Sequence, residues 1–133
     1  IINAKLNSKD TIDVWGDGNQ TRSFMYIDDC IIGTKKLFSS DSSDVYNIGS
    51  EEQVSINQMI EVIQEIADIK LKKNYLLDKP LGVRGRSSDN SLIREKIQWD
   101  TNINLKTGLE KTYKWIFDQI NSGINHNKFT NKY

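Results

Sequence analysis

Residues 11–26, Thr11-Ile12-Asp13-Val14-Trp15-Gly16-Asp17-Gly18-Asn19-Gln20-Thr21-Arg22-Ser23-Phe24-Met25-Tyr26, decide how the whole chain reads. The first five alternate polar and apolar side chains, as a half-buried strand does. Gly16-Asp17-Gly18-Asn19 then supplies turn chemistry, because Gly and Asn accept the positive φ of a tight reversal. A second strand follows over residues 21–26, so the spacing predicts a hairpin with a polar tip. The glycines are not a dinucleotide fingerprint: they join strand to strand and lack a third glycine before a helix.

Working outward, Ile2, Lys5 and Leu6 look like the last turn of a helix begun earlier. With Ile1 rather than Met in first place, the chain is expected to start downstream of a start codon or after processing. On the other side, Asp28 or Asp29 is expected to cap a helix running to about Phe38, with Ile31, Ile32 and Leu37 toward the core. Gly33 inside that helix costs about 1 kcal/mol against Ala, which predicts a close packing contact there. Residues 39–44 read as a polar loop and Val45-Tyr46-Asn47-Ile48 as a short strand. Ser55-Ile56-Asn57-Gln58 fits a capping box, and Ile56, Met59, Ile60, Ile63 and Ala67 recur at helical spacing. A strand over 72–76, a loop over 78–89, a short helix over 91–97 ending near Trp99, and a last helix from about Leu105 to Ile120 complete the order. Leu109, Tyr113, Ile116 and Ile120 form that helix's apolar stripe, and Gly123 ends it. The expected fold is α+β: short strands or a hairpin packed with about four helices over residues 1–121, then a polar tail over 122–133.

Composition bounds the function. The 133 residues carry 18 Lys+Arg against 18 Asp+Glu, with 37% hydrophobic and 27% charged residues, the profile of a lean soluble domain. Such a chain buries roughly two-thirds of its extended surface, enough for a modest core. Zero net charge argues against a general nucleic-acid or anionic-membrane binder. No apolar run crosses a bilayer and no signal-peptide pattern opens the chain. One cysteine forms no internal disulfide, and one histidine, His126, rules out a multi-histidine metal site and makes a His-based triad a poor reading. Asp28-Asp29 therefore reads as a helix cap, Cys30 as a packed thiol, and Trp15, Trp99 and Trp115 as core residues.

The cations are more informative. Of the 18 basic residues only Arg22, Arg84, Arg86 and Arg94 are arginines. Guanidinium presents a planar fork that matches two oxygens of a phosphate or carboxylate; ammonium does not. In Gly82-Val83-Arg84-Gly85-Arg86-Ser87-Ser88-Asp89-Asn90, two arginines alternate around a glycine. An extended backbone sends both side chains to one side, and the glycines let the main chain approach a ligand. A phosphate or diphosphate suits this arrangement; pairing of the arginines with Asp78 or Asp89 on the surface is the other reading. Gln20-Thr21-Arg22 reads either as a polar rim around a ligand or as ordinary solvated turn residues.

These residues carry a resemblance. The run from Val14 through Gln20-Thr21-Arg22-Ser23-Phe24 to Asp28-Asp29-Cys30 resembles the central signature of extended short-chain dehydrogenases acting on nucleotide sugars. Asn47-Ile48-Gly49-Ser50, Ser55-Ile56-Asn57, the 83–90 segment and Gly108-Leu109-Glu110-Lys111-Thr112 follow in that family's order. The pattern looks most similar to the GDP-mannose 3,5-epimerase branch. Asp100-Thr101 departs from the usual Ala-Pro, a change expected to alter a turn and touch no ligand contact.

The resemblance implies a small C-terminal, substrate-binding part of a cytoplasmic NAD-dependent enzyme, with the Rossmann half absent from this chain. It implies that Gln20, Thr21 and Arg22 contact the nucleotide sugar, that Arg86 holds the diphosphate, and that Arg84 is a second candidate for it. The catalytic groups and the NAD site would precede Ile1, so this chain would hold no catalytic residue, no cofactor and no metal, and Cys30 would not be the family's catalytic cysteine. The implied partners are a GDP-hexose and the chain's own N-terminal Rossmann domain, with neither nucleic acid nor membrane, in a homodimeric complete enzyme. A dehydratase of the same family and a stand-alone nucleotide-binding module are the other activities considered.

Overall fold

A computed structural model describes residues 1–122. Its best specified element is α3, Ile56–Ala67, whose N-cap Ser55 accepts from the Gln58 amide while the Gln58 side chain accepts from the Ser55 amide. That reciprocal box satisfies two of the amides a helix start leaves free. The apolar face of α3 packs on α5, Leu105–Asn121. Asn104 caps α5 by accepting from the Thr107 amide at 2.9 Å.

Two small sheets flank these helices. In one, β1 (Thr11–Trp15) pairs in parallel with β4 (Lys72–Leu76), Val14 facing inward at 2% exposure. In the other, β2 (Thr21–Ser23) lies between β3 (Gln53–Ser55), antiparallel, and β5 (Gly85–Arg86), parallel. The predicted hairpin is therefore not made: β1 and β2 belong to different sheets. The turn at Gly16 and Gly18 has the expected positive φ, +74° and +73°. Yet the Gly16 amide extends the β1–β4 ladder by donating to the Leu76 carbonyl at 2.8 Å. Beyond it the carbonyls of Gly18 and Gln20 accept from the Asn57 and Ile56 amides, so the turn is drawn onto the start of α3 instead of folding back on β1.

α1 (Ile2–Leu6) and α4 (Ser91–Ile97) match the sequence reading. α2 (Ile27–Phe38) has the expected end but a different face. Its N-cap is Tyr26, with no side-chain cap bond; Asp28 and Asp29 sit in the first turn. The buried positions are Asp29 and Gly33, whereas Ile31 and Ile32 are 45% and 46% exposed. The Asp29 carboxylate turns inward because it accepts from the Asn102 and Ile103 amides at 3.1 and 2.9 Å. Gly33 lies against Trp99, where a Cβ would come within 2.7 Å of the indole, so the predicted close contact is present. Val45–Ile48 forms no strand: among the described residues no neighbour pairs with it, and an unpaired strand leaves its amides and carbonyls unsatisfied. The core is small and central, built around Val14, Ile60, Leu71, Ile93 and Trp99. Trp15 and Trp115 are not in it, being 56% and 50% exposed. Most of the tail expected over 122–133, Gly123 included, lies outside the described residues.

Candidate functional site

The three-stranded sheet brings distant residues together. Thr21 is in register with Gly85 and Arg22 with Arg86. Adjoining strands lie about 4.8 Å apart, and registered neighbours share a face, so Arg22 and Arg86 leave adjacent backbone positions on one face. β5 can close on β2 because of glycine: a Cβ at Gly85 would come 2.7 Å from Thr21 Oγ1. The Thr21 amide donates to the Arg84 carbonyl at 2.9 Å, extending the pairing by one residue.

Arg22 is half-buried and partly committed. Its Nη1 donates to its neighbour's carbonyl, Thr21 O, at 2.6 Å, and Nη2 donates to Leu81 O at 3.3 Å. Arg84 and Arg86 are exposed. None of the three forms an ion pair among the described residues. The proposed surface partners are engaged elsewhere: Asp78 lies 3.8 Å from Lys79, and Asp89 accepts from the Ser91 amide at 2.9 Å. Bonds from Ser91 hold the Asp89 carboxyl below its ordinary range. Arg84 does lie near Asp17, whose carboxyl is also depressed, chiefly by the Asn19 backbone and side-chain bonds and least by Arg84.

The Gln20 side chain is turned toward the main chain. Its Nε2 donates to Trp15 O at 3.0 Å, and its Oε1 is buried with no partner among the described residues. Thr21 Oγ1 reaches Gln53 Oε1 at 3.4 Å. Exposed Trp15 lies beside this turn, a placement the sequence did signal: Ile12 and Val14 alternate inward, which sends Trp15 outward. The cavity of about 850 Å³ between α3 and α5, lined by Ile12, Met59, Ile63, Leu109 and Ile116, includes none of the five candidate residues.

The fourth arginine is different. Arg94 Nη2 donates to Glu51 Oε2 and Nε to Asp100 Oδ2, both at 2.8 Å. Those bonds raise its pKa, the Asp100 bond most. Asp100 thus does more than change a turn, since its carboxylate also accepts from Asn90 Nδ2 and from the Thr101 amide. The sequence marks Asp100 only as a departure at a turn and Glu51 not at all, because their meeting with Arg94 is tertiary.

A pyrophosphate of NAD needs free amides at a helix start. Here the first-turn amides of α3 are taken: Ile56 by Gln20 O, Asn57 by Gly18 O, and Gln58 by Ser55 Oγ. The turn at Gly16–Gly18 therefore does not fit that cofactor.

A family model described as GDP-mannose 4,6 dehydratase matches residues 1–112. The chain belongs to that family. It is 49% identical over 113 residues to a GDP-mannose 3,5-epimerase of Arabidopsis thaliana, covering 85% of this chain and 30% of the relative. It is 32% identical over 110 residues to a UDP-glucuronate 4-epimerase of Thermodesulfobacterium geofontis, covering 82% and 34%. Among solved structures, UDP-glucuronic acid 4-epimerase from Bacillus cereus, in complex with UDP-glucuronic acid and NAD, matches with TM-score 0.78 and 34% identity, over 90% of this chain and 38% of that one. The family's relatives are thus nucleotide-sugar epimerases and kindred enzymes, and this chain spans about a third of their length. No helix among the described residues is long and apolar enough to cross a membrane.

Proposed function

We propose that this chain is the C-terminal, substrate-gripping part of a cytoplasmic NAD-dependent GDP-sugar epimerase, similar to GDP-mannose 3,5-epimerase. One observation carries the reading: Arg22 and Arg86 are register neighbours, and neither forms an ion pair among the described residues. Like charges directly opposite on a sheet destabilise it, so the pair costs free energy until an anion arrives. A diphosphate bridges two guanidinium forks and removes that repulsion. Arg86 holds the diphosphate and Arg22 supports it, with Thr21 contacting the nucleotide sugar. Arg84, on the same segment, is the second diphosphate candidate. Gln20 acts from inside the turn, holding Trp15 O while its buried Oε1 remains available to a donor.

Hydride transfer and proton transfer belong to the N-terminal part of the complete enzyme, which binds NAD and forms the homodimer. The isolated chain binds no NAD and does not turn over substrate. Support for docking onto that part comes from apolar surface left uncovered: Ile27, Ile31 and Phe38 line one face of α2 at 57%, 45% and 91% exposure, and Val45 is 92% exposed. An apolar helix face of this kind suits an interface. The family model's description favours a dehydratase as the second reading; it uses the same grip on a GDP-sugar.

Calorimetric titration of GDP into the complete protein tests the grip. Arg86→Ala is expected to weaken binding by about 1.5–3 kcal/mol, roughly 10- to 100-fold. Arg86→Lys is expected to recover only part, since a point charge does not reproduce the fork. An unchanged dissociation constant removes Arg86 from the site.

A further inference from the structure

β5 is two residues long and exposed, too short to hold Arg86 by itself. On its N-terminal side the segment is tied through the Arg84 carbonyl to β2. On its other side the next tie is at Ser88. The Ser88 amide donates to Ser50 O at 3.2 Å, and Ser88 Oγ donates to Asn90 Oδ1 at 2.7 Å. Gly49 admits the close approach, since a Cβ there would lie 2.6 Å from Ser88 Cβ.

Asn90 is completely buried and its polar groups are engaged. Besides accepting from Ser88, its side chain donates to Gly49 O at 2.9 Å and to Asp100 Oδ1 at 3.1 Å, and its amide donates to Glu51 Oε1 at 2.9 Å. Arg94 bonds both Asp100 and Glu51, which closes a ring of Asn90, Asp100, Arg94 and Glu51. Asn90 at the centre is buried with its polar groups satisfied, while Arg94, Glu51 and Asp100 close the ring at the surface, so the geometry is fixed from the Asn90 side. The ring also commits Glu51 and Asp100, two acids close to the Arg86 segment, to a different arginine.

We propose that Asn90 is a positioning residue that sets the placement of Arg86 through the Ser88 hydroxyl and is held in turn by its bonds to Glu51 and Asp100. The inference rests on the reading of Arg86 as an anion-binding residue. It assigns the departure at Asp100 a role: that carboxylate orients Asn90 and occupies Arg94.

A double-mutant cycle in the complete protein tests it, with GDP as the probe and calorimetry as the readout. Ser88→Ala keeps the Cβ and the bonds of the ring and removes only the donor to Asn90 Oδ1, a smaller stability cost than replacing Asn90. Ser88→Ala is expected to raise the dissociation constant about 3- to 10-fold. Arg86→Ala is expected to raise it about 10- to 100-fold, and the double variant no further than Arg86→Ala alone. A purely structural Ser88 would lower the melting temperature and leave GDP affinity alone, which overturns the inference. So does a Ser88→Ala factor that multiplies fully with that of Arg86→Ala. If Arg86→Ala itself binds GDP like the parent, the arginine-pair reading falls and takes this inference with it. A loss at Arg86 without one at Ser88 sinks only the inference.

Discussion

Arg94 and the pair Arg22/Arg86 are the same residue type in one small chain, yet they occupy opposite electrostatic situations. Arg94 sits between two carboxylates at 2.8 Å each. Arg22 and Arg86 sit beside each other with main-chain acceptors for one and no ion pair for either among the described residues. Zero net charge over the whole chain hides this uneven distribution. The difference teaches that an arginine whose charge is answered inside the fold is part of its framework. One with no ion pair among the described residues is, under the proposed function, left for a ligand to answer.

The comparison can be broken by swapping the expected consequences. The largest effect is on affinity: Arg22→Ala, like Arg86→Ala, is expected to weaken GDP binding to the complete protein by about 10- to 100-fold in calorimetry. Arg94→Ala is expected to do the reverse, lowering the melting temperature by a few degrees while affecting affinity less than Arg86→Ala does. A large affinity loss without destabilisation at Arg94 would erase the distinction.

Asp100→Asn sharpens the framework side. Burial raises the Asp100 pKa, but bonds from Arg94, Asn90 and Thr101 outweigh it and hold the carboxyl below its ordinary range. The folded state therefore binds fewer protons than the unfolded one between those two pKa values. Its contribution is complete above the ordinary carboxylate pKa of about 3.9 and is lost as pH falls through the depressed folded value. Asp100→Asn is expected to cost about 1 kcal/mol or less at neutral pH, given its solvent exposure, and to flatten the acid limb of urea-midpoint against pH. The smallest effect is a gain: Arg86→Ala without ligand is expected to stabilise the protein by about 0.2–1 kcal/mol in urea unfolding, as like-charge repulsion is relieved.

Local signals carried much of this fold. Ser55 and Gln58 marked the start of α3, the period of Ile56, Ile60 and Ile63 gave its face, and β4 and α4 ended where predicted. Failures came where a partner distant in sequence decides. Gly16-Asp17-Gly18-Asn19 has hairpin chemistry, yet α3's free amides and the Leu76 carbonyl claim the turn. Ile31 and Ile32 looked inward because they are apolar, while Asp29 and Gly33 take the inner positions through the 102–103 amides and Trp99. Val45–Ile48 has strand composition and no strand beside it among the described residues. For the candidate site, the scarcity of arginine pointed to Arg22 and Arg86, but their register across β2 and β5 has no local signature. The bonds of Glu51 and Asp100 to Arg94 have no local signature for the same reason.

Amide chemical-shift mapping of the 15N-labelled chain during titration with GDP tests the central claim most directly. The largest perturbations are predicted at residues 20–23 and 84–88, the two strand segments that carry the guanidinium pair. Saturating GDP that leaves both segments unmoved, or moves only amides around Arg94, would contradict it.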